Sequence, residues 1–203
     1  MRLYSYVVAR DYGFAPNPFF GFCTLATCKP MIRKTAQVGD WVIGTGSKAY
    51  GLAGSLVYAM KVSETCTYDQ YWEESRFWQK RPNLRGSLKQ AYGDNIYHHD
   101  PRTREWLQEN SHHSLPNGRP NYENVKHDTQ HPRVLIGTEF TYWGGDGPKI
   151  PAQFRRIGDR DVCCSLQGHK CKFPVDFLEA FVRWIQSLGL GGCIGKPRLF
   201  EAE

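Results

Sequence analysis

A cysteine and a histidine–aspartate pair supply the residue types needed for nucleophilic catalysis. Cys28 lies in the motif CTLATCKP, just before a helix that Pro30 is expected to start. The helix N-terminus and the adjacent Lys29 would favour the thiolate. His127 and Asp128, in VKHDTQHP, could act as a base and as the carboxylate that orients it. These three residues are the catalytic candidates if the protein is an enzyme, although their order along the chain does not show that they meet.

An aromatic, proline-containing stretch offers a second kind of chemistry. Residues 11–30, DYGFAPNPFFGFCTLATCKP, predict a stiff and ordered loop, because prolines disfavour regular structure and aromatics are rare in disordered tethers. Aromatic faces stack on nucleobases, and cations contact phosphate. The ligand-binding candidates here are Asn17, Phe19, Phe20, Lys29 and Arg33. Burial of the phenylalanines in the core would explain the same pattern, and both interpretations stay open.

Basic residues alternate with aromatic ones in RFWQKRPNLRGSLK, residues 76–89. This mixture suits a nucleic-acid backbone, with cations for phosphate and rings for stacking or packing. The candidates for backbone contact are Arg76, Lys80, Arg81, Arg85 and Lys89. A solvated basic face whose rings point inward is the alternative.

A long polar segment, about residues 84–132, is rich in histidine and turn residues. Such a long loop within a compact domain is usually functional or disordered, and its aromatic residues favour function. Asp94 and Asn95 in GDNIY, together with Trp143 further along the chain, complete the ligand-binding candidates. The segment also carries oxygen and imidazole ligands that could gather a metal, although surface loops often hold such residues. They are Asp94, Asn95, Asp100, Asp128, His98, His99, His112 and His113.

The stretch CCSLQGHKC contains four soft metal ligands, but their spacing matches no common zinc motif. The weak candidates are Cys163, Cys164, His169 and Cys171. Packed or exposed thiols are the preferred interpretation, so no metal site is predicted. The glycine-rich GTGSKAYGLAGS matches neither a phosphate-binding P-loop nor a dinucleotide fingerprint, and the sequence indicates no particular cofactor.

The elements that must position these residues mix strands and helices without regular alternation. Strands are predicted over 3–8, 39–44, 55–65 and 133–145, the last with a tight turn near Gly137. Helices are predicted from Pro30, over 67–80 with Thr67 as the cap, and over 173–189. The expected fold class is therefore α+β.

Length and composition bound the possibilities further. A chain of 203 residues is expected to form one domain over 1–203 around a single core. The net charge of +6 permits an anionic partner without requiring one. No apolar run approaches the length of a membrane span and the N-terminus lacks a signal-peptide pattern, so a cytoplasmic protein with reduced thiols is expected. The oligomeric state is not indicated.

Several motifs together resemble the nucleotide modification associated domain, type 2. They are APNPF, CTLATCKP, VGDWVIG, LVYAMKVSE, GDNIY, KHD, GHKC and GKP, and they span nearly the whole chain. The resemblance implies a context of DNA-base modification in phage or bacteria, in which members make, recognise or process modified nucleotides. It implies no particular catalytic residue.

A second resemblance concerns the fold. VGDWVIGTGS followed by LVYAMKVSETCTYDQYW is similar to PUA-like and EVE domains, in which a Gly-Asp turn, here Gly39 and Asp40, launches a strand of a barrel. This resemblance implies a partly closed, mostly antiparallel β-barrel with a base-binding pocket, to which the histidine-rich segment would be an insert. The leading hypothesis is binding of a modified or extruded base in nucleic acid or a nucleotide. The alternatives are a nucleotide- or base-modifying enzyme and a partner-binding protein of a defence or phage operon.

Overall fold

The computed structural model describes residues 1–156, 160–164 and 168–201. The strands of these residues are β1 (Leu3–Val8), β2 (Cys23–Leu25), β3 (Trp41–Gly46), β4 (Leu56–Lys61), β5 (Glu64–Thr67), β6 (Tyr97–His99), β7 (Trp106–Gln108), β8 (Arg133–Gly137), β9 (Glu139–Gly144), β10 (His169–Lys170) and β11 (Gly192–Lys196). The α-helices are α1 (Pro30–Thr35), α2 (Tyr68–Glu73), α3 (Leu88–Ala91), α4 (Tyr122–Thr129) and α5 (Val175–Ser187). Short 3₁₀ helices cover Lys48–Tyr50, Ser75–Lys80, Ala152–Phe154 and Arg198–Glu201.

These elements separate into two compact units, each assembled from separate stretches of the chain. The first unit contains residues 1–12, 36–63 and 137–203, and the second contains 13–35 and 64–136. The division does not follow the predicted insert at 84–132, because the second unit also takes in 13–35 and 64–83. The single domain over 1–203 stays a prediction.

The first unit is built on a six-stranded mixed sheet in the order β10-β1-β3-β4-β9-β11. β1 pairs parallel to β3 and β9 pairs parallel to β11. The β10–β1, β3–β4 and β4–β9 pairs are antiparallel. The amphipathic helix α5 buries Phe177, Phe181 and Ile185 in the same hydrophobic cluster as Trp41 and Ile43 of β3. The 3.6-residue spacing of apolar side chains along α5 is what allows one face to pack in this way.

The second unit combines a three-stranded sheet, in the order β2-β8-β5, with the β6–β7 hairpin and α1 to α4. The start of α2 is fixed by a capping box, in which Thr67 Oγ1 accepts from the backbone N–H of Gln70 while the Gln70 side chain accepts from the Thr67 N–H. Asn121 caps α4 by accepting from the N–H groups of Glu123 and Asn124. These caps fix where the residues before and after them can lie.

The α+β class and most of the predicted elements are confirmed, with three differences. The strand predicted over 55–65 is two strands, β4 and β5, and the helix predicted over 67–80 ends at Glu73, before the 3₁₀ helix Ser75–Lys80. The segment predicted as a long loop contains α3, α4 and the β6–β7 hairpin. Among the described strands there is no closed barrel, so the PUA-like barrel is not confirmed. No helix in the described part of the chain has the length and apolar character needed to cross a membrane.

Candidate active site at Cys28

Cys28 lies on a turn between β2 and α1 in the second unit, in a backbone conformation that is unusual for a residue with a side chain. Its φ is 55° and that of Lys29 is 42°, both in the left-handed region that favours glycine. Such conformations persist only where surrounding contacts hold them, and they concentrate at functional sites. Here the Cys28 N–H donates to Asp128 Oδ1 at 2.8 Å, and the Cys28 carbonyl accepts from Arg33 Nε at 2.9 Å. The turn is therefore fixed on both sides of the thiol.

The imidazole that meets this thiol belongs to His113. Its Nε2 lies 3.7 Å from Cys28 Sγ, and its Nδ1 lies 2.9 Å from Asp128 Oδ2. The ring also packs against Phe14, with 4.6 Å between centroids. The side chain of His113 is 16% exposed and that of Asp128 is fully buried. A thiol, an imidazole and a carboxylate thus form a continuous chain of contacts, which is the arrangement of nucleophile, base and orienting acid in covalent catalysis.

The charges in this chain are set by burial and by the neighbours. Burial alone would lower the pKa of His113, but hydrogen bonds to Asp128 and Cys28 outweigh it and raise the pKa to about 9. Burial would raise the pKa of Asp128, but His113 and the Arg33 guanidinium hold it below its usual range. At neutral pH the site therefore contains an imidazolium next to the sulfur, a setting in which cysteine nucleophiles are activated.

The backbone around His113 is held by two amide side chains. The His113 carbonyl accepts from Gln108 Nε2 at 3.3 Å and from Asn124 Nδ2 at 2.8 Å. Gln108 Nε2 also donates to the hydroxyl of Tyr97, which in turn donates to Asp128 Oδ2 at 3.0 Å. The hairpin β6–β7 and helix α4 thereby hold His113 against the carboxylate, which limits the positions its ring can take.

Arg33 and Tyr68 tie the Cys28 turn to neighbouring segments of the second unit. Beyond the bond to Cys28, the buried Arg33 guanidinium donates to the carbonyls of Asp128, His131 and Arg133. Tyr68 donates to the carbonyls of Ala26 and Asp128, at 2.5 and 3.2 Å. These bonds join the turn to the end of α4 and the start of β8, so Cys28 sits on a rigid support.

One polar atom beside the nucleophile is left unsatisfied. Thr27, the residue before Cys28, is fully buried, and within the described residues its hydroxyl has no hydrogen-bond partner. A buried hydroxyl without a partner costs free energy, so it usually has a functional explanation.

The structure places the predicted catalytic residues as follows. Cys28 and Asp128 are brought together, as the sequence interpretation required. His127 is 55% exposed, and its Nδ1 contacts Asp128 Oδ1 at 3.1 Å, whereas the imidazole in contact with Cys28 Sγ is that of His113. The sequence offered His113 only as one of several histidines of the long segment, and no local pattern separated it from His112 beside it.

The loop residues proposed for ligand binding lie largely inside the protein. Asn17 and Phe19 are buried, and Asn17 Oδ1 accepts from Lys80 Nζ at 2.7 Å and from the Phe19 N–H at 3.3 Å. Arg33 is buried on backbone carbonyls, so a phosphate cannot reach it in this conformation. Phe20 is half-buried, with a φ of 60°. Of this set, Phe20 and the half-buried Lys29 reach the surface.

The remaining ligand-binding candidates are buried in separate places. The Asp94 carboxylate accepts from Thr24 Oγ1 at 2.7 Å and from the Tyr71 hydroxyl at 2.8 Å. Asn95 donates from Nδ2 to the Tyr71 carbonyl at 2.7 Å. Trp143 belongs to the hydrophobic core of the first unit. The structure does not bring these three residues to Cys28.

The basic candidates for backbone contact do not form one surface. Arg76 is paired with Glu64 and Glu74, and Lys80 is fully buried. The Arg81 guanidinium lies 3.7 Å from the ring centroid of Trp72. Arg85 and Lys89 are exposed.

The four weak metal candidates also do not converge. Cys163 is buried in the core of the first unit, Cys164 Sγ donates to the Ser5 carbonyl, and His169 belongs to β10. Cys171 lines a cavity with His169 and Lys170. In the described ranges of the chain, no group of three or more histidine, cysteine, aspartate or glutamate side chains is arranged to hold a metal ion.

Comparison with known proteins gives one match. No curated protein and no solved structure is significantly similar to the chain. The family model described as nucleotide modification associated domain 2 matches residues 1–203, from the first residue to the last. The family suggested by the sequence motifs is thus confirmed, and the chain belongs to the nucleotide modification associated domain 2 family.

Proposed function

We propose that the protein is a thiol-dependent enzyme of nucleotide modification, with Cys28 as the nucleophile and His113 as the proton carrier. The observation that carries the proposal is the contact chain from Cys28 Sγ through His113 to Asp128, at 3.7 and 2.9 Å. Structural cysteines in protein cores are usually packed among apolar groups, away from charged imidazoles. The nucleotide substrate class rests on the description of the family.

The arrangement supports a two-step covalent reaction. The Cys28 sulfur attacks an electrophilic carbon of the base or of a group attached to it, forming a carbon–sulfur bond, while the His113 imidazolium gives its Nε2 proton to the departing atom. The neutral imidazole then takes a proton from water, whose oxygen displaces the sulfur, so that Cys28 is released and His113 is protonated again. Asp128 keeps the imidazole oriented through Nδ1 and favours its charged form.

The first test measures thiol reactivity, because it needs no knowledge of the substrate. Iodoacetamide at neutral pH should alkylate Cys28 faster than the exposed Cys193, which serves as the internal control. The Cys193 thiol donates to the Gly195 carbonyl. Peptide mass mapping at several time points gives both rates. Equal rates, or a Cys28 rate unchanged by His113→Gln, would remove the basis for an activated nucleophile.

The second test looks for chemistry on nucleotides. The protein is incubated with nucleoside monophosphates and oligonucleotides, with and without a hydroxymethylated cytosine. Mass spectrometry then measures the masses of both substrate and protein. A changed nucleotide mass with wild type and none with Cys28→Ser supports the enzyme. A mass change that survives Cys28→Ser would assign the chemistry to other residues.

Binding of a modified or extruded base is the second candidate function, and the position of Phe20 favours it. Its ring is half-buried beside Phe19, with 6.2 Å between centroids, and the Lys89 ammonium lies 5.6 Å from the Phe19 ring. A ring that is partly exposed next to a cation could stack on a base whose phosphate meets Lys89. The buried Phe19 would support Phe20.

Fluorescence anisotropy with matched oligonucleotides tests this candidate. Phe20→Ala should weaken binding by about 1–3 kcal/mol, as expected for one lost base stack. Phe19→Ala should instead lower the free energy of unfolding by about 3–5 kcal/mol, because the ring is buried. Unchanged affinity in Phe20→Ala would exclude the stacking role.

A further inference from the structure

A shallow cavity of about 440 Å³, wide open to solvent, is formed by residues of the second unit where β5 and β8 pair. Its volume falls in the range of small-molecule sites. Its lining comes from the end of α1, from β5, from the first turns of α2 and from the chain entering β8: Lys34, Thr65, Cys66, Thr67, Gln70, His131, Pro132 and Arg133. None of the proposed catalytic groups is among these residues.

The charged lining of this cavity is basic throughout. It contains Lys34, Arg133 and the titratable His131, and no aspartate or glutamate. Arg133 is fixed in place, since its Nη1 donates to the Lys34 carbonyl at 3.2 Å and its Nη2 donates to Thr65 Oγ1 at 3.4 Å. Desolvation, followed by the charges of Lys34 and Arg33, lowers the pKa of His131. The region therefore has a positive potential that an anion would relieve.

Two acidic groups whose charges act on Cys66 of the lining are already paired with a cation. Glu64 and Glu74 both bind the Arg76 guanidinium, so their charge is already compensated. Cys66 lines the cavity as a neutral thiol, because burial raises its pKa to about 12. An anion entering the cavity meets cations and hydroxyl groups, with no carboxylate in the lining.

We infer that the cavity between Lys34, His131 and Arg133 binds a phosphate group, supplied by a nucleotide or by a nucleic-acid backbone. Lys34 and Arg133 would neutralise the phosphate, and the hydroxyls of Thr65 and Thr67 are placed in the same lining. The site is joined to the proposed nucleophile, since Arg33 donates both to the Cys28 carbonyl and to the carbonyls of His131 and Arg133. The inference rests on cavity geometry and does not require Cys28 to be catalytic.

The experiment uses Cys28→Ala protein, so that turnover cannot complicate binding. Isothermal titration with a nucleoside monophosphate is compared with the same nucleoside lacking phosphate, and the His131 imidazole is followed by NMR, assigned with His131→Gln. We expect the monophosphate to bind and to move the His131 signal, while the nucleoside does neither. Binding that is equal for nucleoside and monophosphate would overturn the inference.

Matched lysine variants locate the contact. Lys34→Ala should weaken monophosphate binding about tenfold or more, as for the loss of one charge-assisted hydrogen bond. Lys34→Arg should retain binding, and Lys126→Ala, which removes an exposed lysine of α4 outside the cavity, should leave it unchanged. Equal losses in Lys34→Ala and Lys126→Ala would show only a general charge effect and would overturn the inference.

A last arm separates the two sources of phosphate. If a short single-stranded oligonucleotide moves the His131 signal at lower concentration than the monophosphate does, the backbone is the ligand. If only the monophosphate moves it, the free nucleotide is the ligand. If neither moves it at millimolar concentration, the phosphate site does not exist. A positive result together with an unreactive Cys28 would keep this site and reject the proposed enzyme.

Discussion

The second unit contains two clusters of buried charged groups, and they are built differently. Around Lys80, the ammonium donates to the Asn17 carbonyl, to Asn17 Oδ1 and to the Phe22 carbonyl, at 3.1, 2.7 and 3.0 Å. Both oxygens of the nearby Asp94 accept hydroxyl hydrogen bonds. All three ammonium protons have acceptors, and both residues are fully buried.

The cluster at Cys28 is incomplete by comparison. Its nucleophile is only partly buried, its backbone is in the left-handed region, and the hydroxyl of Thr27 next to it has no partner in the described part of the chain. A fully satisfied buried cluster stabilises a unique packing, whereas strain and unmet hydrogen bonds persist where function maintains them. The satisfied ammonium of Lys80 is typical of a structural cluster, whereas the strained turn and the unpartnered Thr27 hydroxyl support the proposal that the Cys28 cluster is functional.

The largest expected effect is at His113. His113→Gln should lower turnover by about 10²- to 10⁴-fold at neutral pH, because the proton carrier next to the sulfur is lost. The same variant should also slow the alkylation of Cys28, because the imidazolium beside the sulfur is lost. His127→Gln should change either rate far less, since His127 contacts Asp128 Oδ1 while the imidazole in contact with Cys28 Sγ is that of His113. Rates from peptide mass mapping decide between them. A larger loss of turnover and alkylation rate in His127→Gln than in His113→Gln would make His127 the proton carrier.

The Lys80 cluster should respond in stability and not in rate. Lys80→Met should lower the free energy of unfolding by about 3–5 kcal/mol, because three buried oxygens lose their donor and the carboxylate of Asp94 loses its nearest cation. Urea denaturation measures the change. Lys89→Met, at an exposed position, is the control. The alkylation rate of Cys28 in folded Lys80→Met should match that of wild type. A large drop in this rate would mean that the Lys80 cluster contributes to the reactivity of Cys28.

The turn that carries Cys28 could be predicted from the sequence for a physical reason. Proline at the first position of a helix and a capping threonine act over a few residues, so the turn at Cys28 and the start of α2 at Thr67 could be located locally. The sequence suggested that Cys28 and Asp128 could act together only because their residue types suit a catalytic site. Choosing His113 over His127 was not possible, because the choice depends on hydrogen bonds from Gln108 and Asn124, which lie elsewhere in the chain.

The structure of the long segment and the burial of the basic residues were harder to predict from the sequence for a similar reason. Short elements such as α3 and the β6–β7 hairpin have weak local signals and are stabilised by tertiary contacts, so a polar composition suggested a loop. Lys80 belongs to a basic stretch, but its burial follows from acceptors contributed by the loop at Asn17 and Phe22. Charge along a sequence does not specify which cations become internal.

The ionisation of His113 gives the next prediction, which concerns stability against pH. The folded pKa of about 9 lies above the ordinary value of 6.5, so the protonated imidazole stabilises the folded state fully below about pH 6.5. That contribution, about 2–3 kcal/mol, should disappear as the pH rises through about 9. Unfolding free energies measured between pH 6 and 10 should show the loss in wild type and not in His113→Gln. Identical profiles for the two proteins would place the positive charge elsewhere.

Thr27 provides the smallest effect and the sharpest contrast with the Lys80 cluster. Because the hydroxyl is buried without a partner, Thr27→Val replaces it with a methyl group of similar shape and should raise the free energy of unfolding by up to about 1 kcal/mol. If the hydroxyl contacts the substrate, the same variant should lower turnover while iodoacetamide still alkylates Cys28 at the wild-type rate. A stabilised protein with unchanged turnover would make Thr27 a packing residue. A lower free energy of unfolding in Thr27→Val would mean that the hydroxyl is hydrogen-bonded in solution. The Cys28 cluster would then have no unsatisfied hydroxyl to distinguish it from the Lys80 cluster. Removing any hydrogen bond from the Lys80 cluster should lower the free energy of unfolding. A higher free energy of unfolding in Thr27→Val and a lower one in Lys80→Met would therefore distinguish a functional cluster from a structural one.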